Sequence, residues 1–260
     1  MTFVNYKNIH MKLIKITTFI GLFIFLTAPS FSQDATEIIR KADKKFRGKS
    51  AKAEMTMTIV RPTWKRTLKF KTWGKGNDYS LALITYPAKE KGQTFLKRQN
   101  EMWTWNPKIS RLIKMPPSLM SQGWMGSDYT NDDILKESSI VNDYIHKIIG
   151  SEKIDGNDCW KIELTPKEDA VVIWGKLIKW ISKDEYNQMK SEYYDEDAYL
   201  VKTEIASSVK LMGNKKIPTH LEIIPADEPN HKTVVDINSM IFDVPINDNF
   251  FTQQNMKRVK

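Results

Sequence analysis

The sequence predicts a mainly β protein with a few helices, built as a meander of antiparallel strands. Two features predict it. From Ser50 onward apolar residues recur at every second position, as in Met55, Met57 and Ile59, or Leu68 and Phe70. That spacing puts side chains on one face of a strand. Strand-like runs then follow one another about every ten residues, separated by turn residues such as Gly74–Asp78 and Met212–Lys215, which describes hairpins rather than βαβ units.

The first 32 residues are expected to be a secretory signal, with Met11 as an alternative start. Lys12 and Lys15 form a basic start, Ile16 to Leu26 an apolar run, and Ser30-Phe31-Ser32 supplies the small residues that a signal peptidase reads. The apolar run of eleven residues is short of the roughly 20 that span a bilayer. No Cys stands at the expected cleavage point after Ser32 to take an acyl group. The expectation is a mature chain, 33–260, forming one domain free in the periplasm.

Asp34-Ala35-Thr36-Glu37 reads as a capping box for an amphipathic helix carrying Ile38, Ala42 and Phe46 and ending at Gly48. Strands are expected at Tyr79–Tyr86, Gln93–Arg98, Glu101–Trp105 and Arg111–Lys114. Met115-Pro116-Pro117 ends this run, because consecutive prolines remove ladder donors. Residues 115–137 read as an irregular apolar insert, with Thr130-Asn131-Asp132-Asp133 capping a short helix to about Lys136. Strands resume at Tyr144–Ser151 and continue to Lys232–Phe242, and Asp248–Arg258 reads as a short closing helix.

Composition narrows the function. The leader removes three lysines and no acids from the net charge of +9, leaving +6. These cations are scattered among acids, which argues against a nucleic-acid partner and allows transient contact with a membrane surface. Cys159 is the only cysteine, expected to be a buried structural thiol. The four histidines show no ligand spacing, and the HExxH, CxxC, GxSxG and phosphate-cradling glycine patterns are missing from the sequence. No catalytic residue, metal or cofactor is expected. Asp128, Asp132 and Asp133 leave three readings open: helix capping, contacts that hold a lid, or catalysis or metal binding, as by the carboxylates of a glycan hydrolase.

The apolar inventory points to a ligand. Trp103 and Trp105 share one face of a strand, and Trp174, Ile178 and Trp180 are expected to share another. Met55, Met57, Met102, Met115, Met120, Met125 and Met189 add flexible, polarisable surface of the kind used where a ligand's shape varies. Trp124 and Met125, between Gly123 and Gly126, read as a mobile flap over a cavity mouth. Each methylene of an acyl chain buried there would contribute about 0.8 kcal/mol without specific polar contacts.

The run Trp103-Thr104-Trp105-Asn106-Pro107, then Arg111-Leu112-Ile113, then Met125-Gly126-Ser127-Asp128-Tyr129-Thr130-Asn131-Asp132-Asp133, resembles the outer-membrane lipoprotein-sorting, or LolA-like, proteins. Phe250-Phe251-Thr252 fits as well, and the resemblance extends from Asp34 to the C-terminus. It implies an incomplete antiparallel β-barrel, a half-barrel, with a helical lid over an apolar cavity. It also implies a periplasmic carrier of acyl chains, of lipoproteins or other lipids, working as a monomer beside an envelope transporter. Trp103, Trp105, Leu112, Met115, Leu119, Met120, Trp124 and Met125 are then expected at the cavity or lid. Gly126, Ser127, Asp128, Tyr129, Asp132 and Asp133 form the lid motif. The competing classes are a non-catalytic interaction module of a transporter and an envelope glycan hydrolase.

Overall fold

The computed structural model describes residues 34–99, 101–136 and 140–260, so the expected signal segment lies outside the described residues. Thirteen antiparallel strands form one sheet. The first six are β1 (Ser50–Val60), β2 (Lys65–Lys75), β3 (Tyr79–Tyr86), β4 (Thr94–Arg98), β5 (Glu101–Asn106) and β6 (Arg111–Lys114). The second series is β7 (Tyr144–Ile154), β8 (Asn157–Pro166), β9 (Lys176–Ser182), β10 (Gln188–Tyr194), β11 (Leu200–Met212), β12 (Lys215–Pro225) and β13 (Lys232–Phe242). Each series is a meander, and β1 pairs with β13 to join them, which leaves β6 and β7 as the two edges. The barrel is therefore open, because β6 and β7 do not pair.

That topology dictates where the insert goes. The chain leaves β6 at one edge and must reach β7 at the other, so the intervening residues cross one face of the sheet. About 58 Å separates the edges along the sheet at ~4.8 Å per strand, well within the reach of this connection. We call the crossed face the inner face. Register identifies its residues. Ile162, Lys179, Ser191, Glu204, Ile223, Thr233, Ile59 and Arg66 are successive partners along one row. The row is apolar on β8, polar on β9 to β11, and mixed further on, where Ile223 and Ile59 alternate with Thr233 and Arg66.

Helix α1 (Ala35–Arg47) covers the β7–β10 part of that face. The Asp34 carboxylate accepts from Thr36 N at 2.9 Å, and Gly48 ends the helix with φ 65°. Glu37 pairs with Arg40 rather than reaching back to the cap. Ile38 and Ile39 are buried against Trp160, Ile162, Leu164 and Leu177, whereas Phe46, expected on the same apolar stripe, is exposed. Trp174 also belongs to this inner cluster. It does not share a face with Ile178 and Trp180, which pack on the outer face with Cys159 and Met189. Burial pushes the Cys159 thiol up to about 11, so it stays protonated.

His146 ties α1 to β7, with Nδ1 3.2 Å from Thr36 Oγ1 and Nε2 2.8 Å from the Ile140 carbonyl oxygen. Burial is the main cause of its lowered pKa. The folded protein thus favours the neutral ring, while the unfolded chain takes up a proton as pH falls through 6.5. The stability this contributes is present above 6.5 and is lost as pH falls towards the lowered folded value. Denaturant titrations over that range should show the loss in the wild type and a flatter profile in His146→Gln.

The tail ends in two short 3-10 turns, Asp248–Phe250 and Asn255–Lys257, not in one closing helix. Phe251 and Met256 are buried against Leu81 and Leu96 on the outer face, where Thr94 Oγ1 donates to the Met256 carbonyl at 2.8 Å. No helix of the described residues is long and apolar enough to cross a membrane.

Candidate functional site

The crossing segment is held in shape by its own backbone before it meets the sheet. Trp124 N donates to the Tyr129 carbonyl at 2.6 Å, and Asn131 N to that of Gln122 at 2.9 Å. Gly123 is required because a Cβ there would lie 2.5 Å from the Ser127 carbonyl oxygen. Met125 takes φ 54° and Gly126 φ 76° to complete the loop. Helix α2 (Asn131–Lys136) follows, capped reciprocally: Asp133 N donates to Thr130 Oγ1 at 3.0 Å and Thr130 N to Asp133 Oδ2 at 2.7 Å. That is the expected capping, with Thr130 as the cap. The loop is thus an internally bonded unit, and the glycines expected to make it a loose flap serve its tight turns.

Polar contacts then dock this unit on the inner face. Arg61 holds the Asp128 carboxylate through two nitrogens, at 2.8 and 3.2 Å, and Thr233 Oγ1 donates to the same carboxylate at 2.6 Å. Arg66 Nη1 donates to the Met125 carbonyl at 3.0 Å. Lys202 pairs with Asp133 and donates to the Asp128 carbonyl at 3.0 Å. Trp174 Nε1 donates to Asp133 Oδ1 at 2.9 Å. Tyr129 OH donates to Glu204 Oε2 at 3.0 Å, and Gln188 Nε2 reaches the other oxygen at 2.8 Å. Lys202 and Asp133 are both almost wholly buried, at 3% and 6% exposure. Three motif residues thus dock the unit: Asp128 on Arg61 and β13, and Tyr129 and Asp133 on β11.

Beneath the unit lies an apolar cluster. Met57, Ile59, Leu68, Phe70, Ala82, Ile84, Phe95, Met102 and Val235 form its floor, and Trp124 is buried on it. The Trp124 ring meets Phe70 at 5.8 Å and Phe95 at 5.2 Å, both edge-on. Met55, Met115, Met120, Met125 and Tyr129 pack around it, half-buried. Six methionines therefore converge on one spot. The Trp124 Nε1 proton is buried with no hydrogen-bond partner in the described structure, unusual for a buried indole.

The expected site residues fall into two groups. Met115, Met120, Trp124 and Met125 meet at the inner cluster, with Leu119 half-buried on the same segment. Trp103, Trp105 and Leu112 lie on the outer face instead, against the C-terminal turns. Register explains the split. Met102 and Thr104 point inward, so Trp103 and Trp105, partnered by Lys114 and Leu112, point outward. Of the motif, Ser127 is buried with its hydroxyl on the Trp124 carbonyl at 2.7 Å, and Asp132 is buried. Arg61, Lys202, Glu204 and Thr233 were not expected at the site. The sequence carries no signal for the middle pair: the β11 alternation favours burying Val201 and Ile205, yet Lys202, Glu204 and Ala206 are buried and Val201 and Ile205 exposed.

A family model described only as an uncharacterized protein matches residues 76–258, more than half of the chain. The chain belongs to the DUF1329-like family. No curated protein matches it. A solved DUF1329 family protein from Desulfovibrio piger is 25% identical with a TM-score of 0.78, over 85% of this chain and 97% of that one. A LolA superfamily protein from Nitrosomonas europaea is 26% identical with a TM-score of 0.72, over 85% and 98%. A domain from Vibrio parahaemolyticus, named for outer membrane lipoprotein sorting, is 21% identical with a TM-score of 0.76, over 86% and 98%. This DUF1329-like chain therefore has the LolA-like fold, an open antiparallel sheet crossed on one face by the motif-bearing segment.

Proposed function

We propose that the DUF1329-like chain is a non-enzymatic periplasmic carrier that takes an acyl chain of a lipoprotein or another lipid at the inner-face cluster. One observation carries this reading: six methionines and four aromatic rings meet between the sheet and a segment that docks as a unit through discrete ion pairs. Methionine side chains re-pack around ligands of varied shape. Opening such a segment returns its charges to water, and hydration offsets much of the lost pairing. The ion pairs thus add little to the cost of opening; what opening costs is the exposure of Trp124 and the methionines, which an entering acyl chain would cover again. Asp128 and Asp133 are engaged by Arg61, Thr233, Lys202 and Trp174, which favours the lid-holding role over a carboxylate pair free for hydrolysis. The LolA superfamily and lipoprotein-sorting names of the structural neighbours point the same way. The mature carrier is a single domain, 33–260, that receives its cargo from an envelope transporter.

Native mass spectrometry of protein prepared from the periplasm should show a stoichiometric acylated lipid or peptide. A fluorescent fatty-acyl probe should bind the delipidated protein and be displaced by lipid. Met120→Asp, which puts a charge at the half-buried rim of the cluster, should weaken probe binding about tenfold or more. A clean apo mass together with no probe uptake would leave the interaction module as the better reading.

A further inference from the structure

The outer face at the β6 edge carries a surface that the carrier reading does not use. The β5–β6 hairpin turns through Pro107–Ser110, with Ile109 63% exposed at its tip. Behind the tip Trp105 and Leu112 face each other across the hairpin, half-buried. The C-terminal turns lie alongside, bringing Lys257 Nζ to 5.1 Å from the Trp105 ring, and Lys114 Nζ sits 5.9 Å from that of Trp103. Charge here is one-sided. Residues 101–114 contribute three cations, of which Arg111 lies on the inward register, against one acid, Glu101, which is paired with Lys114; residues 248–260 contribute three cations against one acid, Asp248, which is paired with Lys75. Lys108, Lys257, Arg258 and Lys260 are all exposed.

We propose that this hairpin tip and the adjoining C-terminal turns form a docking surface for the headgroups of an anionic lipid bilayer. A projecting isoleucine, indole rings and surrounding lysines match the layered polarity of a membrane interface, where tryptophan rings sit at headgroup level and long basic side chains reach the phosphates. Each Lys or Arg near an anionic surface strengthens binding about fivefold. An acidic protein partner would answer the charge but leaves Ile109 without a role. The surface lies on the opposite sheet face from the Trp124 cluster, so the two can be tested separately.

The experiment is co-sedimentation of the mature protein with phosphatidylcholine vesicles, with and without phosphatidylglycerol, in low and high salt. The wild type should bind only the anionic vesicles, and less in high salt. Lys108→Gln, Lys257→Gln and Arg258→Gln together should weaken binding on the order of a hundredfold, and Ile109→Asp alone should weaken it as well, both with an unchanged melting temperature. A control triple at the β7–β9 end, Lys153→Gln, Lys167→Gln and Lys183→Gln, should bind within a few fold of the wild type. No binding by the wild type, or equal loss in both triples, would overturn the proposal, the second because net charge alone would then explain the attraction. Uptake of the acyl probe, measured in solution on the same variants, should be unchanged; its failure in the wild type would count against the carrier reading and not against docking.

Discussion

Lys202→Met should destabilise the protein by about 3–5 kcal/mol, the cost of leaving a buried carboxylate without its cation. The Lys202 ammonium and the Asp133 carboxylate face each other almost without solvent. Asp133 keeps Trp174 Nε1 and Thr130 N after the substitution, but two neutral donors do not replace a charge. In a domain of this size such a loss lowers Tm by on the order of 10 °C. Urea unfolding would measure it. Adding Asp133→Asn should recover part of the loss, since both charges are then gone, but not all of it, because Asn can accept from only one of Trp174 Nε1 and Thr130 N. A cost below about 1 kcal/mol for Lys202→Met would show that water reaches the pair, and the ionic docking of the segment would be wrong.

Trp124→Ala should have the second large effect, about 3–5 kcal/mol of stability, with loss of acyl-probe binding. Trp124 is 4% exposed and is gripped edge-on by Phe70 and Phe95. A flap residue would be removable at no cost in stability; this one is not, because its ring is part of the cluster it closes. Met125→Ala, at a half-buried position, should cost far less. Trp124→Phe separates packing from polarity, since it keeps a ring but removes the unpaired Nε1 proton. If that proton serves a carbonyl of the ligand, probe binding drops in Trp124→Phe while the melting temperature moves little. Normal probe binding by a destabilised Trp124→Ala protein would make the residue part of the core only.

Much of the architecture is legible in local patterns. The β1 alternation of Met55, Met57 and Ile59 is present in the structure, with register partners Phe70, Leu68 and Arg66 on β2. Asp34 caps α1 and Thr130 caps α2, because a short side-chain oxygen beside free backbone donors acts within a few residues of itself. The motif from Gly126 to Asp133 marked the segment on which the candidate site is built. What local pattern could not supply was the side of the sheet. Two-residue spacing places Trp103 and Trp105 together, yet cannot say whether they or Met102 turn toward the crossing segment. Large aromatics suggested a ligand face; the structure gives them to the C-terminal turns.

The charged partners of the motif were hidden for a related reason. Lys202 and Glu204 lie more than 65 residues beyond the segment they hold, and a lysine on a strand ordinarily signals solvent. The strands, their order as hairpins, the two capped helices and the break at Met115-Pro116-Pro117 follow from local sequence, since propensity, turn chemistry and capping act over a few residues. Which face is inner, which methionines meet Trp124, and which cations meet Asp128 and Asp133 depend on long-range pairing. Those outcomes follow from the pairing of β1 with β13, which puts β6 and β7 at opposite edges and sends the chain between them across a single face.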